Sequence, residues 1–466
     1  MQKTSSKDIE SKLDNIKCYL DSKNIDYYDI RLDNTKYTFI EIENKESKNV
    51  ESNKVSGIGI RVLVNGKLGF CSTNNIENYK KIIDSCIEKT KKLTKITKLE
   101  NFSKNKDRVK HKHKRYDSVD LEKKVKENIK INSDFLKQKH INKILNISTY
   151  QMENYTERYF VNPYSYIYQE KPKILYFSKL LGKRNNIIET SYHNIGNIAG
   201  LELINHKTKE SITKVAEDYL NDLLISKSCP ALKTDIILDD TLVGIFAHEA
   251  IGHSSEADAI ISKESTLKKG LVVSNNKEIN IIDDPTINRF GQFKYDDEGI
   301  KAKKTRLIEK GVVKNYLTDI ETATELGEKS NGSARIQSYK YIPIVRMSNT
   351  YFEAGKTSEK DMLNDFTGYY LKKSSAGQVS PSVGTFTFGV GSVQEYKKGK
   401  VINNYKQATI SGTIINYLQN ITEVSKNVVL HKMSAHCGKD GQSVPVSDGG
   451  PILKIKNVVV GGTKHE

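Results

Sequence analysis

Apolar residues Ile9, Leu13, Ile16 and Leu20 recur at three- to four-residue intervals, which predicts an amphipathic helix over about residues 7–23. The pattern then switches to alternation. The stretches YYDIRLD, YTFIEIEN and GIGIRVLVNGKLGFCST predict antiparallel strands, with Asn65 and Gly66 forming a tight hairpin turn. A helix is expected over about 76–93 and another in DLEKKVKENIKINSDFLKQ. Strands follow around KILNISTYQMENYTERYFVN, then a helix over about 210–226 with Ile212, Val215, Tyr219 and Leu223 on one stripe. SCPA at 228–231 breaks the pattern and marks the expected domain boundary. Beyond it strands predominate, in KTDIILDD, LVVSNNKEINIIDD, GVVKNYLTD, VGTFTFGVGSVQEYKKGKVIN and PILKIKNVVVGG, interrupted by helices near 320–326 and 412–427. The expected fold is therefore α+β in two domains. Residues 1–228 form a mixed, sandwich-like α/β domain, and residues 229–466 form a β-rich domain carrying one short, distorted helix.

Composition changes this picture little. The 466-residue chain carries a net charge of +17, but lysine is spread everywhere beside asparagine and isoleucine. Such a bias reads as a general choice of polar surface residue, so nucleic acid is not the expected partner. No apolar run is long enough to cross a bilayer, and MQKTSSKDIESKLDNIKCYL lacks the apolar core of a secretory signal, so a cytoplasmic location is expected. Five scattered cysteines without a CxxC pair indicate neither a disulfide framework nor a zinc ribbon. The segment 94–118, with His111 and His113 in DRVKHKHKR, is read as a solvated charged connection.

Candidate chemistry lies in GIFAHEAIGHSSEAD, residues 244–258. His248 and His253 are five positions apart, one more than in the zinc-protease pattern His-Glu-x-x-His. On a regular α-helix, side chains five apart diverge by roughly 140° and cannot meet at one ion. A π-type turn, with its i→i+5 bonding, brings them into line, and Gly252 just before His253 would ease that distortion. A catalytic zinc site takes three protein ligands. Glu256 and Asp258 are near candidates for the third, and Cys437, in the glycine-rich SAHCGKDGQSVPVSDGGP, is the distant one. A cysteine nucleophile at Cys437 is the rival; His436 as its base is disfavoured because adjacent residues of an extended chain point to opposite sides, which leaves His431 or the histidine pair as the alternative base. Glu249 is the candidate general base, taking a proton from metal-activated water.

HEAIGHSSEAD and HCGKDGQSVPVSDGGPILKIKNVVVGGT resemble the HExxxH and C-terminal cysteine motifs of the TldD/PmbA metallopeptidase family, specifically its TldD-like catalytic members. DDPTINRFGQFKYDDEG, LIEKGVVKNYLTD and RIQSYKYIPIVRMSNTYFEAG between them also resemble family blocks. The resemblance implies Zn2+ held by His248, His253 and Cys437, Glu249 as base, and Glu256 and Asp258 orienting the histidines. It implies hydrolysis of small unfolded peptides or peptide precursors, and a heterodimer with a PmbA/TldE-like subunit, a homodimer being the alternative. A non-catalytic peptide-binding subunit with a structural zinc is the competing function. Substrate contacts are not identified by the sequence. Addition of the peptide as a strand to an exposed edge between RMSNTY and VGTFTFGV is one expectation, with Arg346 and residues 384–391 as neighbours.

Overall fold

The computed structural model of the protein describes residues 6–137, 143–432 and 435–462. Its first half is built on a seven-stranded sheet. Strands β1 (Tyr27–Glu43), β2 (Glu46–Val64), β3 (Lys67–Thr73), β4 (Lys106–Val109), β5 (Lys143–Val161), β6 (Tyr166–Arg184) and β7 (Ile187–Ile198) lie in the order β3-β2-β1-β5-β6, with β4 and β7 both on the far side of β6. All pairings are antiparallel except that of β4. The hairpin at Asn65–Gly66 forms as expected, with positive φ at both residues, as a two-residue turn between right-twisted strands requires.

Helices Ser6–Asp21, Tyr79–Lys91, Leu121–Lys137 and His206–Ile225 cover one face of this sheet, burying the alternate residues Ile30, Leu32, Ile58, Ile60, Ile147, Tyr159 and Leu180. The opposite face is ionic around Asp29, Arg31, Asp33, Arg61 and Arg158, all of them buried. Arg61 pairs with Asp29 at 2.7 Å and with Glu298 at 2.6 Å, while Arg158 pairs with Asp33 at 2.6 Å and Asp297 at 2.7 Å. This seam fixes the 296–298 loop, and with it the second half of the chain, against the sheet.

The second half contains two further seven-stranded sheets. In one, Leu453–Gly462 pairs with Leu232–Leu238, which pairs with Gly368–Ser380, followed by Thr385–Lys397 and Lys400–Thr413. Lys400–Thr413 pairs back onto Leu453–Gly462, so these strands close into a ring. The other sheet runs Val312–Val313, Thr305–Glu309, Ile281–Asp283, Asn349–Phe352, Gln442–Gly450, Val429–Leu430, with Ala435–Lys439 also paired to Gln442–Gly450. Between the two lies the main core, centred on Phe246, Phe352, Phe386, Phe388 and Tyr417.

Several expectations are corrected here. The segment 94–118 is not wholly solvated, because Lys106–Val109 adds a parallel strand to the sheet. The helix expected over 412–427 covers only Ile414–Asn420 and gives way to the strand Ile421–Val424. The substrate edge expected between RMSNTY and VGTFTFGV is narrowed: Asn349–Phe352 and Thr385–Lys397 each have a paired strand on both sides, and only Gly368–Ser380, whose second side is paired at Tyr369–Leu371 alone, keeps an open edge beyond that point among the described residues. No helix among the described residues is long and apolar enough to cross a membrane.

Candidate metal centre

Asp239 starts the critical element, its carboxylate accepting from the Leu242 amide at the head of the short helix Asp240–Ile245. The helix widens at once into a π-helix over Phe246–Gly252 and tightens into a 3-10 turn at His253–Ser255. The extra residue between the two histidines is absorbed by that widening. Their ring centroids lie 5.3 Å apart, nearly perpendicular.

Gly252 serves the turn in another way than expected. Its φ of −59° is ordinary helical backbone, so no distortion is relieved there. A Cβ at this position would instead lie 1.9 Å from Sδ of the fully buried Met347. The glycine lets the turn approach the segment that carries Met347, between the strands Ile344–Val345 and Asn349–Phe352. Gly252→Ala is expected to lower stability by about 1–3 kcal/mol, read by urea unfolding, because the buried Met347 side chain must shift to admit the methyl group.

Cys437 arrives on the strand Ala435–Lys439, which a two-residue turn at Asp440 and Gly441 joins to Gln442–Gly450. Its Sγ lies 3.4 Å from His253 Nε2, and one donor atom each from His248, His253 and Cys437 lie within 4.8 Å of one another. Burial alone would push the Cys437 thiol up, but the imidazoles of His248 and His253 outweigh it and bring it down to about 5. His248 is buried and its Nδ1 has no hydrogen-bond partner among the described residues. Two imidazoles, one of them with an orphaned nitrogen, and a thiolate at this separation fit the donor set of a zinc site.

The flanking carboxylates divide the remaining work. Glu256 Oε2 accepts from His253 Nδ1 at 3.0 Å, which leaves Nε2 facing Cys437. Lys439 holds Glu256 at 3.1 Å and Asp258 at 2.6 Å. Glu256 thus stands behind His253, where a carboxylate fixes ring orientation, whereas Asp258 bonds Lys439 rather than either histidine, so it does not orient a ring as expected. Glu249 is 32% exposed, with Oε2 3.9 Å from His253 Nε2. His436 turns away from Cys437 and sets its ring against Phe290 at 5.2 Å, so it does not serve the thiol as a base. Arg346 is buried and donates to the carbonyls of Cys437 and Gln442, bracing the hairpin. Of residues 384–391, Gly384 lies in a turn and the rest belong to the closed ring. His111 and His113 are not gathered with other metal donors among the described residues.

Sequence reasoning missed two features. One is the bridge that His431, expected only as an alternative base, makes between Asp240 at the head of the critical helix and Asp448 on the hairpin's second strand, both at 2.9 Å. Burial acts to lower the His431 pKa, but the two carboxylates raise it to about 10. The stabilisation is therefore complete below the unfolded value near 6.5 and fades as pH rises through about 10. His431→Asn is expected to cost about 1–2 kcal/mol at pH 6 and progressively less toward pH 10, measured by thermal melts across that range. The other is the buried arginines. Of the ten arginines in this lysine-rich chain, Arg31, Arg61, Arg158, Arg335 and Arg346 are buried. Where lysine supplies the basic surface, arginine itself is the signal of a fixed, multiply bonded position.

Comparison with known proteins adds to this geometry. Residues 28–93 match the family model described as PmbA/TldA metallopeptidase domain 1, and residues 232–462 match its C-terminal domain. A metalloprotease of Methanothermobacter thermautotrophicus is 31% identical over 442 residues, covering 94% of this chain and 96% of the relative. The chain belongs to the PmbA/TldD family. A zinc metalloprotease TldD homolog of Saccharolobus solfataricus is 37% identical over 235 residues, 49% of this chain and 51% of that protein. The crystal structure of TldE from Thermococcus kodakarensis superposes with a TM-score of 0.77 at 17% identity, covering 97% of this chain and 100% of that one, a likeness of fold.

Proposed function

We propose that this PmbA/TldD member is a zinc-dependent metallopeptidase that hydrolyses small unfolded peptides or peptide precursors. The carrying observation is the convergence of His248, His253 and Cys437 donor atoms within 4.8 Å beside a solvent-accessible Glu249. A closed structural site has no need of that glutamate. His248, His253 and Cys437 would hold the ion, which when bound polarises the scissile carbonyl and acidifies the attacking water. Glu249 takes the proton of that water and passes it to the departing amide nitrogen. Glu256, braced by Lys439, keeps His253 in one tautomer and orientation.

The edge for an extended peptide is the Cys437 strand itself. A two-residue turn makes Lys439–Gln442 a hydrogen-bonded pair, so alternation makes Cys437–Val444 another. The intervening His436 and Gly438 then turn their amides and carbonyls outward. The amide of Ser443, opposite Gly438, donates away from the hairpin to Gln337 at 2.7 Å, and Pro445, opposite His436, has no amide to give, in keeping with that phase. Ala435–Lys439 has no strand on its second side among the described residues. A substrate bound there by main-chain hydrogen bonds has to be extended, which excludes folded proteins.

The division into 1–228 and 229–466 and a pairing with a PmbA/TldE-like subunit, with a homodimer as the alternative, belong to the same reading. Light scattering of the purified protein with and without such a subunit decides the assembly. The function is tested by chelation: hydrolysis of an unfolded peptide is expected to vanish on zinc removal and to return with one equivalent of zinc. Undiminished hydrolysis by the zinc-free protein overturns the reading.

A further inference from the structure

A cleft of about 490 Å³ opens between the ionic face of the first sheet and the second half of the chain, and the outward-facing His436, Ser443 and Pro445 of the Cys437 hairpin form part of its wall. Its charges do not balance. Arg158 is fully engaged by Asp33 and Asp297, and Lys171 reaches Asp297 at 3.1 Å. The third lining carboxylate, Asp296, is turned onto the amides of Glu298, Ile300 and Ala334. Three cations are left over, of which Lys340 is exposed and lies over the Tyr339 ring, leaving Arg335 and Lys173. Arg335 donates only to main-chain carbonyls, those of Met347 at 2.6 Å and Pro445 at 2.7 Å. Lys173 has no hydrogen-bond or ion-pair partner among the described residues, although it lines the cleft beside Arg158, Lys171 and Arg335.

Such an arrangement is unfavourable until an anion enters. Desolvation, followed by repulsion from Arg158, Lys171 and Arg335, brings the Lys173 ammonium down to about 7. An anionic group between Lys173 and Arg335 would remove that repulsion and accept charge-assisted hydrogen bonds. The hairpin gives the identity of the anion. A peptide added to the edge of Ala435–Lys439 sends alternate side chains to the two faces of the sheet, and one of those faces is the His436 face that lines the cleft. The anionic group a peptide offers is a carboxylate.

Resting on the peptidase reading above, we propose that Lys173 and Arg335 form a subsite that recognises a carboxylate of the bound peptide, making this protein selective for substrates that carry an acidic side chain or a free C-terminus next to the cleaved segment.

The test uses four otherwise identical, unfolded, fluorescently labelled decapeptides, carrying glutamate or glutamine at a central position and ending in a free carboxylate or an amide. Binding is measured by anisotropy on zinc-loaded Glu249→Ala protein, and hydrolysis on the wild type. At least one carboxylate-bearing peptide is expected to bind about tenfold more tightly than the doubly neutral one, and whichever does identifies the source of the carboxylate. In the Lys173→Gln background the difference should fall to within about twofold, whereas Lys173→Arg, which keeps the cation, should retain it. Lys360→Gln removes the same charge from an exposed position and should also retain the preference, which separates the subsite from the general basicity of the chain. Equal binding of all four peptides, or a preference that survives Lys173→Gln, overturns the subsite. Preferential binding without hydrolysis by the wild type overturns the peptidase reading and leaves the subsite standing; uniform binding and hydrolysis does the reverse.

Discussion

Glu249→Gln is expected to lower peptide hydrolysis by about 10²–10⁴-fold while zinc content stays at one per chain. Glutamine keeps the size and the hydrogen-bonding reach of the side chain but cannot accept a proton. Glu249 lies outside the gathered donor set and is partly open to solvent, so its replacement leaves His248, His253 and Cys437 where they are. The variant should also bind extended peptides as tightly as the wild type, because the strand edge on Ala435–Lys439 is untouched. Retained turnover with retained zinc would remove Glu249 from the chemistry and leave the metal without an accompanying base.

Cys437→Ser is expected to weaken zinc binding by about 100-fold or more, since a neutral hydroxyl is a far poorer ligand than a thiolate. The loss should appear in competition with a chromophoric chelator at fixed pH. Hydrolysis falls with zinc occupancy and recovers in part at high zinc, which distinguishes a lost ligand from a lost nucleophile. If the serine variant binds zinc normally and Glu256→Gln does not, the third ligand is the carboxylate. The geometry favours the thiol: Cys437 faces His253 Nε2, whereas Glu256 occupies Nδ1 on the other side of that ring.

The site was more legible than its surroundings. A five-residue interval between two histidines has few solutions in a helix, and the π-turn over Phe246–Gly252 is one of them. Gly252 was noticed for the wrong reason, because whether a glycine relieves strain or makes room depends on Met347, a contact no local pattern encodes. Strand β6 went unread for a similar cause. Pro172 in its middle argues against an interior strand, yet it falls where β4 stops pairing with β6 at Gln169 and β7 begins at Lys173, so no ladder bond is lost. The ionic seam was hidden because its members look like surface charges one by one. Arg61 and Glu298 lie 237 positions apart, and only the folded chain makes them a pair.

The closed ring of strands also sets when the centre can exist. Leu232–Leu238, which leads into the π-turn, is hydrogen-bonded to Leu453–Gly462, the last of the ring's strands to leave the ribosome. His253 and Cys437 meet although they lie 184 positions apart. A nascent chain thus has its imidazoles long before it has its thiol, and the three donors can gather only once translation has passed Cys437.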